Sequence, residues 1–239
     1  MGVMSNGSHA NRVLALNTLA FTFCFAIWTI YGVLITYLVD HRIVNFDKGQ
    51  IGWLIGIPVL TGSILRLPVG MLTDRYGGKP VYIGVMLFSA ISVYLTSYAN
   101  TYTEFILAGL AFGVSGAGFA VGIAYSSIWF PKESQGTALG VFGIGNAGSA
   151  VTSIGAPRLL EYFTHGGKDL EGGRHLPQAY GIAMLGMVFV FALLAVPKRL
   201  ELDHQKSVGE MLAPLRDMRV WRFGLYYFVV FGAYVALSQ

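Results

Sequence analysis

Seven stretches of this 239-residue chain hold no Asp, Glu, Lys, Arg or His apart from one arginine. They run from Val13 to Val39, Gly49 to Thr73, Pro80 to Thr103, Phe105 to Pro131, Ser134 to Pro157, Leu176 to Pro197, and Phe223 to Gln239. A helix of about 20 apolar residues crosses the roughly 30 Å hydrocarbon core. The first six stretches are long enough, and the seventh comes close to the minimum. Membrane strands would alternate over about ten residues instead, whereas a helix satisfies every backbone group within the segment. The pattern predicts an all-α membrane protein. A six-helix transmembrane bundle occupies residues 1–197, a linker 198–222, and the beginning of a seventh transmembrane helix 223–239. Within the linker Val208, Met211, Leu212, Leu215 and Met218 recur at helical spacing among basic residues. This predicts a short amphipathic helix on the membrane surface.

Composition agrees with a lipid environment: 54% of residues are hydrophobic and 12% charged, against about 25% charged in soluble domains. An ordinary cytosolic enzyme, a disulfide-stapled secreted domain and a disordered chain are excluded. The lone cysteine, Cys24, permits neither an intrachain disulfide nor a thiol–metal cluster. The five histidines lie in termini and loops without metal-ligand spacing, and no P-loop is present. No metal, other cofactor or catalytic activity is therefore expected. The net charge of +4 is too thinly spread for nucleic acid; the lipid bilayer is the expected partner. With the N-terminus inside, ten basic residues fall on inner segments (Arg12, Arg75, Lys79, Lys132, Lys198, Arg199, Lys206, Arg216, Arg219, Arg222) and five on outer loops. The positive-inside rule places the N-terminus in the cytoplasm of a plasma, or bacterial inner, membrane. Trp28, Trp53 and Trp129 lie in or near span ends and read as an interfacial aromatic belt.

Arg66 is the arginine inside the second stretch. It lies about 13 residues before Lys79, hence roughly 20 Å deep if the segment is helical. A charge at that depth costs about 2.5–3.5 kcal/mol on insertion scales, and snorkelling does not span such a distance. The other five complete stretches offer no acidic partner. A guanidinium is a planar fork of fixed donors, matched to a planar oxyanion, so Arg66 is a candidate anion-binding residue. The fourth and fifth stretches are rich in glycine. Gly109/Gly113, Gly118/Gly122 and Gly136/Gly140 are small-xxx-small pairs that permit close helix approach. Gly143-Ile144-Gly145-Asn146-Ala147-Gly148 matches the dinucleotide pattern G-x-G-x-x-G, but no strand precedes it and the setting is an apolar span, so that reading is rejected. Asn146 carries a buried amide that must find a helix or a ligand.

Gly70-Met71-Leu72-Thr73-Asp74-Arg75-Tyr76-Gly77-Gly78-Lys79 closes the second stretch. Asp74, Arg75 and Lys79 can make charged contacts where helices meet, and Gly77 lets the loop turn tightly. This spacing closely resembles the signature of the major facilitator superfamily. A narrower resemblance rests on Gly62-Ser63-Ile64-Leu65-Arg66-Leu67-Pro68-Val69-Gly70, on Gly116-Ala117-Gly118-Phe119-Ala120-Val121-Gly122 followed by Trp129-Phe130-Pro131-Lys132, and on the Gly143–Gly148 run. Together these resemble the nitrate/nitrite porter family, from about Leu14 onward. The resemblance implies a secondary carrier working by alternating access, in which Arg66 binds the anion, Phe119 packs on its face, Asn146 contacts it, and Tyr227 and Phe231 complete the site. The family's second anion arginine and second signature belong to spans eight and eleven. The resemblance therefore implies the N-terminal half of a carrier of about twelve spans, whose C-terminal half is a partner. A carrier of organic carboxylates and a membrane anion sensor are the alternatives.

Overall fold

The computed structural model describes residues 3–198 and 208–238; Arg199 and Lys206 of the linker lie outside them. Among these described residues eleven α-helices follow one another: α1 Val3–Trp28, α2 Ile30–Asp40, α3 Lys48–Tyr76, α4 Gly78–Leu95, α5 Tyr102–Phe112, α6 Gly118–Ser127, α7 Lys132–Gly143, α8 Gly148–Phe163, α9 His175–Leu194, α10 Val208–Leu212 and α11 Met218–Ser238. They form seven spans long and apolar enough to cross a membrane. Spans one, four and five are each built from two helices (α1/α2, α5/α6, α7/α8) that join in mid-span.

Local sequence explains the ends. Asp47 accepts a hydrogen bond from the Gln50 N–H at 2.9 Å, and Gln50 Oε1 accepts from the Asp47 N–H at 3.0 Å. This reciprocal cap starts α3, and Thr101 with Glu104 repeats it at α5. At the opposite end α3 stops at Gly77, whose φ of 89° lies in the region that favours glycine. Gly78 then lies against the ring of Tyr125, where a Cβ would collide.

Packing shows an internal symmetry. Span two packs on span four and span five packs on span one, while span three packs on span six. Spans one to three and four to six thus exchange partners as two three-helix repeats would. Span one threads the middle, and its apolar side chains from Val13 to Leu38 supply much of the core. Span two and the seventh helix are the most open.

The glycines divide into two groups. A Cβ on Gly113 would lie 2.8 Å from the Pro58 carbonyl oxygen, and one on Gly118 would lie 3.1 Å from Cys24 Sγ. Those on Gly122 and Gly148 would strike the Phe142 ring and the Thr22 carbonyl, and that on Gly145 would lie 2.5 Å from Phe21. These five residues let helices touch. Gly140 and Gly143, expected to do the same, have nothing within 4 Å of a built Cβ. Their side of span five is open in this chain, so they mediate no helix approach within it.

Two further expectations need correction. Trp28 is no interfacial belt residue: it is fully buried, at the joint between α1 and α2, and its indole N–H donates to the Pro58 carbonyl at 2.7 Å. The amphipathic pattern from Val208 to Met218 is not one helix. Pro214, which has no N–H, lies in a 3-10 turn over Ala213–Arg216 that ends α10. The seventh helix then begins at Met218 rather than Phe223, with the Asp217 carboxylate accepting from the Arg219 N–H at 2.9 Å.

Candidate functional site

Two of the three mid-span joints, those of spans one and four, flank Arg66. In span four a 3-10 turn over Gly113–Ala117 replaces regular α-helix, and span two presses on it. The contact is so close that a Cβ on Gly62 would lie 2.7 Å from the Gly113 carbonyl oxygen and 3.0 Å from the Gly116 Cα. This approach places Arg66 beside the turn, where its Nε faces the Gly116 carbonyl at 3.4 Å.

Aromatic rings enclose the guanidinium. Its central carbon lies 5.1 Å from the ring centre of Phe119, 5.2 Å from that of Phe231 and 5.6 Å from that of Trp28. Tyr227 stacks on Phe231, with centroids 4.9 Å apart and planes 12° apart, and Phe231 in turn faces the guanidinium. Ring faces carry negative potential, and a desolvated cation gains on the order of 2 kcal/mol from such a contact. The cage can thus hold the positive charge without a carboxylate, and no carboxylate among the described residues pairs with Arg66. One guanidinium nitrogen of Arg66 is buried with no hydrogen-bond partner. An unfilled charged donor in such a place is costly unless a ligand completes it.

Asn146 sits in the third joint, a 3-10 turn over Ile144–Ala147. Its amide nitrogen donates to the Gly143 carbonyl at 2.8 Å, while its amide oxygen is buried without a partner. The side chain is therefore turned onto its own backbone. It connects with the Arg66 group through span seven: the Tyr234 ring lies 6.2 Å from Phe231, and the Tyr234 hydroxyl donates to the Asn146 backbone carbonyl at 3.0 Å. The structure thus gathers Arg66, Phe119, Tyr227 and Phe231 directly and Asn146 at one remove.

Two participants were not singled out from the sequence. The sequence reading puts Trp28 at an interface, although it stands in the middle of the Val13–Val39 stretch rather than at its end. Tyr234 stands seven positions after Tyr227, on the same face of a helix, and this spacing is the signal that marks it.

The loop at the end of span two is arranged differently from its expected contacts. Asp74 and Arg75 are exposed, and Lys79 is half-buried. Arg75 lies over the Tyr76 ring at 5.6 Å, and Asp74 forms no ion pair among the described residues. Gly70 makes ordinary contact with span four, its built Cβ 4.0 Å from that of Ala120. Among the described residues no group of three or more His, Cys, Asp or Glu could hold a metal.

The chain is 43% identical over 231 residues to the probable nitrate/nitrite antiporter NarK1 of Thermus thermophilus, covering 95% of this chain and 52% of that protein. It is 32% identical to the nitrite extrusion protein of Bacillus subtilis (98% and 56% covered). To the probable nitrate transporter NarT of Staphylococcus epidermidis it is 30% identical (94% and 55% covered). The chain spans about half the length of these relatives. Residues 16–239 match the profile of the Major Facilitator Superfamily. With seven apolar spans, three mid-span joints and this match along nearly its whole length, the chain is an integral membrane protein that belongs to the Major Facilitator Superfamily.

Proposed function

We propose that the chain forms one half of a secondary carrier that moves nitrate, and nitrite as well, across the bacterial inner membrane by alternating access. The observation that carries this reading is the Arg66 guanidinium: deep in the bundle, caged by aromatic rings, with no carboxylate partner among the described residues and with a free donor. That donor set suits a small planar anion. Phe119 would pack on the anion's face, Tyr227 and Phe231 would close the far wall, and Asn146 would contribute its amide once released from Gly143. The names of the three relatives point to the same anions. Residues 1–197 act as the N-terminal bundle, 198–217 as the linker, and the helix that begins at Met218 as the first of the second half, which supplies the remainder of the cavity. The surplus of basic residues on one set of loops puts the N-terminus in the cytoplasm.

Competition tests the substrate class. Uptake of labelled nitrate into proteoliposomes bearing the full-length protein should be suppressed by excess nitrite and left unchanged by excess succinate. Equal suppression by succinate would make this a carrier of organic carboxylates.

The Asp74 loop tunes the balance between the two facing states without touching the anion. Asp74→Asn in the full-length protein is expected to slow nitrate uptake several-fold with KM little changed. An unchanged rate would reduce the loop to a topological stop. Gly77 and Lys79 would serve the same loop, the first through its turn and the second through its charge.

A further inference from the structure

Tyr234 carries a polar arrangement that the anion site does not use. Its hydroxyl donates to the Asn146 backbone carbonyl at 3.0 Å and lies 2.9 Å from Ser149 Oγ. Ser149 Oγ in turn donates to the same carbonyl at 3.1 Å. Two hydroxyls and one carbonyl oxygen thus form a triangle of short contacts between span seven and the joint of span five, in which the two hydroxyl protons make two of the three hydrogen bonds at a time. The 3-10 turn over Ile144–Ala147 departs from the regular i to i−4 ladder, and the Asn146 carbonyl turns toward the two side chains. Ser149 is buried, so its hydroxyl finds no water there and is costly to leave unpaired.

The triangle is the polar end of a contact face. Tyr227, Phe231, Tyr234 and Val235 follow helical spacing along α11. Phe231 lies 6.2 Å from Phe25, and the Tyr234 ring lies over Phe25 at 6.3 Å. Val235 is buried against the bundle. The rest of α11 is largely exposed. Span seven is therefore held on this bundle by a short strip, and the Tyr234 hydroxyl bonds within that strip to the residue whose side chain is a candidate anion ligand.

We propose that Tyr234 is a positioning residue, the latch of span seven. Its bond to the Asn146 carbonyl and Ser149 fixes Tyr227 and Phe231 across the Arg66 site, and its release is a step of the transport cycle. The proposal rests on the carrier reading above and adds to it a residue that touches no anion. The latch couples the two halves directly: Asn146 shifts as span seven arrives, and span seven is retained only when the span-five joint offers its carbonyl.

Tyr234→Phe keeps the ring and removes the hydroxyl. Ser149→Ala tests the triangle from the other side and guards against a fault peculiar to one variant. Both are measured in the full-length protein, with labelled nitrate as the probe, uptake normalised to folded protein, and melting temperature recorded alongside. Each single variant should lower the maximal rate roughly fivefold, the scale of one neutral hydrogen bond, with a smaller change in KM. The double variant should be no slower than the worse single, because both remove the same device. The latch is overturned if Tyr234→Phe matches wild type in uptake per folded molecule, even with a lowered melting temperature. It is also overturned if the double loss is the product of the single losses. Absence of nitrate uptake by the unmodified protein would instead defeat the carrier reading itself, and the latch with it.

Discussion

Replacing Arg66 by lysine should nearly abolish nitrate uptake by the full-length protein, although the charge is kept. Lysine is a compact ammonium and cannot present two parallel donors to a planar anion. It would also lose the flat guanidinium surface that lies between the rings of Phe119, Phe231 and Trp28. A lost charge-assisted hydrogen bond costs about 1.5–3 kcal/mol, hence roughly a ten- to 150-fold loss of affinity. Uptake of labelled nitrate at a fixed, low concentration, corrected for protein in the membrane, measures the effect. Were Arg66 only reaching for the interface, lysine would serve as well, and wild-type uptake would follow.

Gly62→Ala should prevent the bundle from closing. The added Cβ would lie 2.6 Å from the Trp28 indole nitrogen and 2.7 Å from the Gly113 carbonyl oxygen. Neither neighbour can yield easily, since Trp28 is held by Pro58 and Gly113 contributes backbone. Overpacking of this kind costs about 1–3 kcal/mol or more. It falls on the contact that seats Arg66 against the Gly113–Ala117 turn. The folded, monodisperse fraction recovered by size-exclusion chromatography of the tagged full-length protein should drop sharply. Gly140→Ala, whose Cβ meets nothing within 4 Å in this chain, is the matched control and should leave the recovery of folded protein unchanged. Equal recovery from the two variants would mean that spans two and four do not approach this closely.

The sequence and the structure agree where charge alone decides. Each span could be read from the absence of ionisable residues, because lipid excludes them whichever way the helix is rotated. Arg66 stood out for the same reason. The faces of the spans were not legible. A membrane helix is apolar on both its lipid and its protein side, so no stripe marks the packed face as it does in a soluble protein. That is why Gly140 and Gly143 read like Gly122 and Gly145, although only the latter pair touch another helix. It is also why Gly62, the residue that brings spans two and four together, stayed inconspicuous among the glycines of spans four and five. Trp28 shows the same limit: a tryptophan suits an interface by its chemistry, and only the joint between α1 and α2 reveals that it walls the arginine. The linker failed through one residue. The spacing from Val208 to Met218 is helical, yet Pro214 interrupts the backbone that would carry it. The spacing of Tyr234 from Tyr227 marks its face of the helix, but its partner is a carbonyl in a 3-10 turn, which no side-chain pattern announces.

Equilibrium binding of labelled nitrate to the purified full-length protein reads the Arg66 site without the transport cycle. One saturable nitrate site is expected in the wild type, displaced by nitrite and weakened at least about tenfold by Arg66→Lys. Saturable binding of equal strength in wild type and Arg66→Lys would contradict this and would place the anion elsewhere in the protein.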